Sequence, residues 1–312
     1  MTSHDIILHH YPMSPFAEKA RLLLGHKQLE WRSVTIPRIM PKPDVVALTG
    51  GYRRTPILQV GADIYCDTAL IARKLELLKP TPTLYPPHIA AANHALSQWA
   101  DSTLFGVAVV IAFQPTVIAA SFSSEDEMKI FVADRAALRK GASSRRMPLA
   151  EAKPSLAVFL TQLNTQLSDG RRYLFGDATC AADFSVYHPL WFVRVRPLLA
   201  AELAPFKNVL AWMDRVAAIG HGQSAELDSA EAVDIAKRSA AVSVEAESDL
   251  EAFKVGDAVE VLPTDYGLDP VAGELVVCNA EELVVRRRDA RAGEVSVHFP
   301  RLNYELRKPT PA

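Results

Sequence analysis

Residues 11 to 21 read Tyr11-Pro12-Met13-Ser14-Pro15-Phe16-Ala17-Glu18-Lys19-Ala20-Arg21. Ser14 stands where a helix N-cap is expected, with Pro15 at the first helical position. A hydroxyl there lies beside unpaired backbone N–H groups at the positive end of the helix dipole, where a nucleophile or an anion is stabilised. Ser-Pro is also simply a good helix start, and the dipeptide alone favours that plainer role. A second stretch, Arg53-Arg54-Thr55-Pro56-Ile57-Leu58, is followed by Asp67-Thr68 at the start of another helical pattern. A proline entering a strand after an extended residue is often cis, which leaves the Thr55 backbone open to pair with an extended, peptide-like ligand. Asp67 and Thr68 can cap a helix or hold an ammonium and a carboxylate; taken singly, capping is favoured.

The elements that must position these groups fall into three units. Residues 1–80 alternate strand and helix: Ile6 to Leu8, a helix from Phe16 to His26, a strand from Trp31 to Ile36, a hairpin about Gly61, and a helix from Thr68 to Leu78. Strands interleaved with helices at this spacing indicate an α/β layer. The proline-rich joint 79–87 marks a boundary. Residues 88–241 are rich in Ala and Leu with helical apolar spacing, over about 89–120, 124–140, 152–168, 181–196, 206–218 and 225–240, so an all-α unit is expected. Residues 242–251 are polar and acidic, a linker by composition. From 253 to 308 the period becomes two, with short strands expected over 258–262, 273–278, 283–287, 295–299 and 304–306. Five such strands imply a small SH3-like β-barrel. The tail 308–312 is expected to fray.

In this order, within this β/α pattern, the motifs resemble the cytosolic glutathione transferase family from Ile6 to about Ala240. The resemblance implies a thioredoxin-like N-terminal domain that binds glutathione and a helical C-terminal domain that supplies the pocket for an electrophilic small molecule. Ser14-Pro15-Phe16 is similar to the Ser-Pro-Phe of the serine-type plant classes and the Cys-Pro-Phe of the cysteine-type class. Thr55-Pro56 resembles the residue and cis-proline that pair with the cysteinyl part of glutathione. Asp67-Thr68 takes the place of the acidic or amide residue and serine that hold the γ-glutamyl group. Gly176-Asp177-Ala178-Thr179-Cys180-Ala181-Ala182-Asp183 resembles the family's capping box, with Cys180 in the Ser/Thr slot, so the box is weakened or Thr179 caps in a shifted register.

The resemblance implies that Ser14 donates a hydrogen bond to the glutathione sulfur. The thiol's pKa is near ~8.5, and only the thiolate attacks electrophiles well. Serine in place of cysteine disfavours mixed-disulfide chemistry and thiol transfer. Tyr11, where the tyrosine-type classes keep their phenol, is the competing catalytic residue. Lys42, Arg53 and Arg54 are the candidates for the glycyl carboxylate. Glutathione is a co-substrate, with no bound cofactor expected. A homodimer is implied. A non-catalytic scaffold whose barrel binds a partner, or a glutathione-dependent lyase, isomerase or peroxidase, are the alternative readings.

With 34 Lys and Arg against 36 Asp and Glu, the net charge of −2 carries no polyanion signal, so nucleic acid is not an expected partner. Arg286-Arg287-Arg288 looks basic, but alternating strand faces divide the three side chains and acidic residues outnumber basic ones from 253 onward. The barrel's role is left among an intramolecular lid, a dimer-stabilising arm and a protein-binding module. Cys66, Cys180 and Cys278 lie far apart in the sequence and form no disulfide framework or metal spacing; Cys66 is expected to pack as a small apolar residue. His9-His10 has no third ligand in reach, so no metal site is expected. The start of the chain lacks a basic signal-peptide region, and the apolar run 105–113 is shorter than the ~20 residues of a membrane span, which points to the cytoplasm. Phe105, Phe113 and Trp191 are the aromatics considered for the electrophile pocket.

Overall fold

The computed structural model describes residues 5–143, 147–241 and 246–309. Part of the expected linker (242–245) and the end of the tail (310–312) lie outside them. The chain begins β1 (Ile6–His10), α1 (Pro15–His26), β2 (Glu30–Thr35), α2 (Pro43–Thr49), β3 (Ile57–Val60), β4 (Asp63–Cys66) and α3 (Thr68–Leu78). β1 pairs parallel with β2 and antiparallel with β3, which continues antiparallel into β4. This is the thioredoxin-like arrangement. Period-two alternation sends Leu8, Leu58 and Tyr65 into the core shared with the helical unit, while Ile7, Ile57 and Ile64 enter a second core on the opposite face.

The helical unit comprises α4 (Ala90–Trp99), a π-helical turn at Ala100–Leu104, α5 (Phe105–Ala112), α6 (Pro115–Ala119), α7 (Glu125–Leu138), α8 (Leu149–Gln166), α9 (Ala181–Arg194), α10 (Ala200–Leu203) and α11 (Lys207–Ala217). The helical run Pro87–Ala112 is long and apolar enough to cross a membrane by length and composition. Its second half packs into the core against α8 and α9. At the start of α9 the cap is Cys180, not Thr179, whose hydroxyl turns to His26. Buried Asp183 accepts hydrogen bonds from the Cys180 and Leu174 N–H groups and from Trp212 Nε1, at 3.0, 2.9 and 2.9 Å. The carboxylate thus satisfies donors that burial of the helix start would otherwise strand.

Beyond α11 the structure departs from the sequence expectation. Part of the helix expected over 225–240 is instead β5 (Gln223–Glu226), which extends the sheet parallel to β2. Its four residues are polar or small and all exposed, so nothing but edge pairing makes them a strand. Then α12 (Ser229–Arg238) packs against α2.

The C-terminal segment forms β6 (Glu247–Ser248), β7 (Ala258–Pro263), β8 (Val271–Cys278), β9 (Glu282–Asp289), β10 (Gly293–Pro300) and β11 (Tyr304–Arg307). The five expected strands are present, but the separate SH3-like barrel is corrected. β10 pairs parallel with β4, and one sheet runs β11-β7-β8-β9-β10-β4-β3-β1-β2-β5. Val261, Leu275, Val285, Val297 and Phe299 share one core with Ile7, Ile57 and Ile64. Five short strands supply little apolar area for a core of their own, and the exposed edge of β4 offers both backbone partners and an apolar face. Arg287 and Arg291 reach α2, the former donating to the Ala47 carbonyl at 2.5 Å and the latter pairing with Asp44. Arg288 stays in solvent, so the basic triplet is divided between two faces.

Candidate active site

At the C-terminal end of β1 the chain turns through Tyr11 to Ser14 and enters α1. Ser14 is buried, is the N-cap, and its Oγ accepts the Ala17 N–H at 3.2 Å. That bond uses an oxygen lone pair. Among the described residues the hydroxyl proton has no acceptor, so it remains available to a ligand atom in front of the helix.

Ser14 opens onto a cavity of about 110 Å³ lined in part by Tyr11, Arg54, Thr55, Pro56, Asp67 and Thr68. Thr55, Pro56, Asp67 and Thr68 are placed by local devices. The Thr55–Pro56 peptide is cis and leads directly into β3. Asp67 lies between β4 and α3 with φ +75°, and its Oδ1 accepts the Ala69 N–H at 2.9 Å as the cap of α3. A non-glycine residue at positive φ is uncommon and clusters at ligand sites. Thr68 begins α3 and is buried.

Lys42 does not line the cavity. It stands behind Thr55, donating to its Oγ1 at 3.3 Å, with its ammonium 5.8 Å from the Tyr11 ring centre. Burial, reinforced by the charge of Arg135 and opposed by Asp134, lowers the Lys42 pKa to about 8. Arg53 and Arg135 both pair with Asp134, at 3.0 and 2.7 Å, leaving this side of the cavity with more positive than negative charge.

Other lining residues arrive from far along the chain. Phe105, already considered from its position, comes from α5 and packs on Phe16 with ring centres 4.6 Å apart. Arg135 and Leu138 come from the end of α7 and Tyr266 from the loop between β7 and β8. No local signal marked these three. Phe113 and Trp191 lie outside the lining, packed against the helical core.

The C-terminal segment touches the site twice. Arg54 donates to the Asp265 carboxylate and to the Tyr266 carbonyl, and the Tyr266 ring covers its guanidinium at 4.0 Å. Tyr304 donates to Asp67 Oδ2 at 3.2 Å and lies 2.8 Å from the Tyr52 hydroxyl. Burial raises both phenols well above the usual tyrosine range, so both stay protonated; Tyr304 gives its proton to Asp67 and accepts that of Tyr52.

His9 and His10 face Gln59 Oε1 at 2.8 Å and Ser33 Oγ at 2.9 Å. Among the described residues no group of three His, Cys, Asp or Glu side chains is arranged to hold a metal ion.

Residues 8–83 match the glutathione S-transferase N-terminal domain and residues 136–215 the glutathione S-transferase C-terminal domain. A GST-like protein from Pseudomonas syringae is 44% identical, with 99% of this chain and 100% of that chain covered and a TM-score of 0.83. The alignment with that protein therefore includes the C-terminal strands. FzlA from C. crescentus, at 21% identity, covers 68% of this chain and 87% of its own with a TM-score of 0.50. Beta-etherase LigF from Sphingobium sp. strain SYK-6, at 20%, covers 68% and 95% with a TM-score of 0.51; these two likenesses are of fold alone. No curated protein matches the chain. Domain matches in both halves, joined to a 44% identical relative over nearly the whole length, place this chain in the glutathione S-transferase family.

Proposed function

We propose that the protein binds glutathione and activates its thiol for attack on an electrophilic small molecule. The observation that carries this reading is the uncommitted Ser14 hydroxyl proton at the N-terminus of α1, facing a cavity edged by Thr55, Asp67 and Thr68. A sulfur in front of that hydroxyl receives its hydrogen bond and feels the positive end of the helix dipole, both of which favour the thiolate. Thr55 at its cis-proline pairs with the cysteinyl backbone, while Asp67 and Thr68 hold the γ-glutamyl ammonium and carboxylate. The glycyl carboxylate goes to the cationic side, formed by Arg53 and Arg54, which line the cavity, with Lys42 behind Thr55. The electrophile occupies the part lined by Phe16, Phe105 and Leu138. The protein acts as a cytoplasmic homodimer on these two small molecules, without nucleic acid, membrane or resident cofactor.

Calorimetric titration with glutathione, followed by thiolate absorbance against pH, tests this. Ser14→Ala should raise the pKa of the bound thiol by about one to two units, the equivalent of losing one charge-assisted hydrogen bond of ~1.5–3 kcal/mol. An unchanged pKa in Ser14→Ala, with a loss in Tyr11→Phe, would transfer the role to Tyr11. Absence of glutathione binding would refute the proposal, and binding without conjugation of a general electrophile would favour the scaffold reading.

A further inference from the structure

The cavity of about 110 Å³ is roughly a third of the ~300 Å³ at which pockets for drug-sized ligands begin. Part of its lining, Tyr266, comes from the protein's own C-terminal segment. Residues 264–270, between β7 and β8, cross from the sheet to the end of α7: Gly267 N–H donates to the Leu138 carbonyl at 2.8 Å and Ser143 N–H to the Asp265 carbonyl at 3.0 Å. Ser143 Oγ also donates to the Thr264 carbonyl at 2.9 Å. The loop thereby spans the cleft between the helical unit and the sheet, with Arg54 beneath it. Gly267, at φ +60°, lies so close that a Cβ there would stand 3.1 Å from Leu138 Cδ1 and 3.5 Å from Arg54 Nε.

The chemistry of the contact matches that of a ligand. A carboxylate, Asp265, and a backbone carbonyl, Tyr266, take the guanidinium donors of Arg54, and an aromatic ring closes over its face. The Asp265 side chain is 41% exposed, whereas that of Arg54 is 14% exposed, so the carboxylate can leave for water while the arginine stays at the site. Its Nε is buried, with no hydrogen-bond partner among the described residues. At the other end of the site, Tyr304 holds the Asp67 oxygen not used in capping α3.

We infer that the 264–270 loop is a lid over the candidate glutathione site, in which Asp265 is an internal stand-in for a ligand carboxylate on Arg54 and is displaced when the ligand enters. The inference rests on the glutathione reading for the identity of the ligand, but not for the closure itself. A lid held by its own carboxylate competes with the ligand, so apparent affinity is the intrinsic affinity reduced by the fraction of open molecules.

Full-length Asp265→Asn and, as a second variant, Tyr266→Ala are titrated with glutathione beside the unchanged protein. Amide exchange of Gly267 and Ser143 is followed with and without the tripeptide. Weakening the latch should lower the glutathione Kd about tenfold in either variant, and saturating glutathione should speed exchange at both amides in the unchanged protein. A Kd equal to or higher than that of the unchanged protein in both variants overturns the lid. If none of the three proteins binds glutathione, the proposed function fails and the closure is judged separately. Exchange at both amides about tenfold faster in Asp265→Asn supports it, and unchanged exchange overturns it.

Discussion

The C-terminal strands are fastened to the rest of the sheet by an ionic clamp, and replacing its centre tests whether they form one body with it. His298 of β10 points Nε2 at Asp63 of β4, at 3.1 Å, and Nδ1 at Glu282 of β9, at 3.0 Å. Its ring stacks on Tyr65 with centres 4.4 Å apart, and Lys74 lies over the same tyrosine at 4.9 Å. Burial opposes a charge on the imidazole, but the hydrogen bonds to Asp63 and Glu282 outweigh it and hold the pKa above its ordinary value of 6.5.

In His298→Gln two charge-assisted hydrogen bonds, each worth ~1.5–3 kcal/mol, become at most neutral ones. The side chains are unequal: Asp63 is 1% exposed and loses its imidazole partner in a dry setting, whereas Glu282 at 24% can rehydrate. The expected loss is therefore about 2–3 kcal/mol at about pH 6. A group whose folded pKa is raised stabilises fully below its unfolded value and loses that contribution as pH rises through the folded value. The loss measured near pH 9.5 should be smaller than near pH 6 by about 1.4 kcal/mol for each unit by which the fold raises the pKa. Urea unfolding of both proteins at the two pH values provides the measurement. A difference that is independent of pH, or larger at the higher pH, would refute the account of His298 as a protonated clamp.

Acid should destabilise the protein through other histidines. Burial lowers the pKa of His9, His10, His26 and His188 to about 4. The unfolded chain thus binds more protons between pH 6.5 and 4, so the unfolding free energy should fall as pH drops through that window, by up to about 1.4 kcal/mol per imidazole per pH unit, and the thermal midpoint should fall with it. Asp183→Ala strands the N–H groups of Leu174 and Cys180 and the indole of Trp212, and should cost about 3–5 kcal/mol in urea unfolding; a loss below about 1 kcal/mol would show that the donors find other partners. Gly25→Ala places a Cβ 2.0 Å from the Gly220 carbonyl oxygen, a backbone atom that cannot rotate away, so a stability loss of about 1–3 kcal/mol is expected from denaturant titration.

Much of the site can be read from local sequence, because its parts are local devices. Ser14-Pro15 is a helix start, Thr55-Pro56 a strand entry and Asp67 a cap, and each lines the cavity in a position its neighbours set. The five C-terminal strands are equally legible, since alternation and turn residues act over a few positions. Sheet membership is not local. Whether β10 closes a barrel or pairs with β4 depends on which unpaired edge lies within reach, and the period-two pattern of β10 is the same in either case. The polar strand β5 exists only because β2 offers an edge. For the same reason Tyr266 and Asp265 could not be assigned to the site from their own segment, since they meet Arg54 across more than 200 residues of chain. The sequence by itself determined the chemical groups at the end of β1 and most of the elements around them, but not β5. Tertiary structure alone decided that the C-terminal strands complete that sheet and bring Asp265 and Tyr266 to Arg54, because edge pairing and a shared apolar core are properties of surfaces that exist only after the elements have packed.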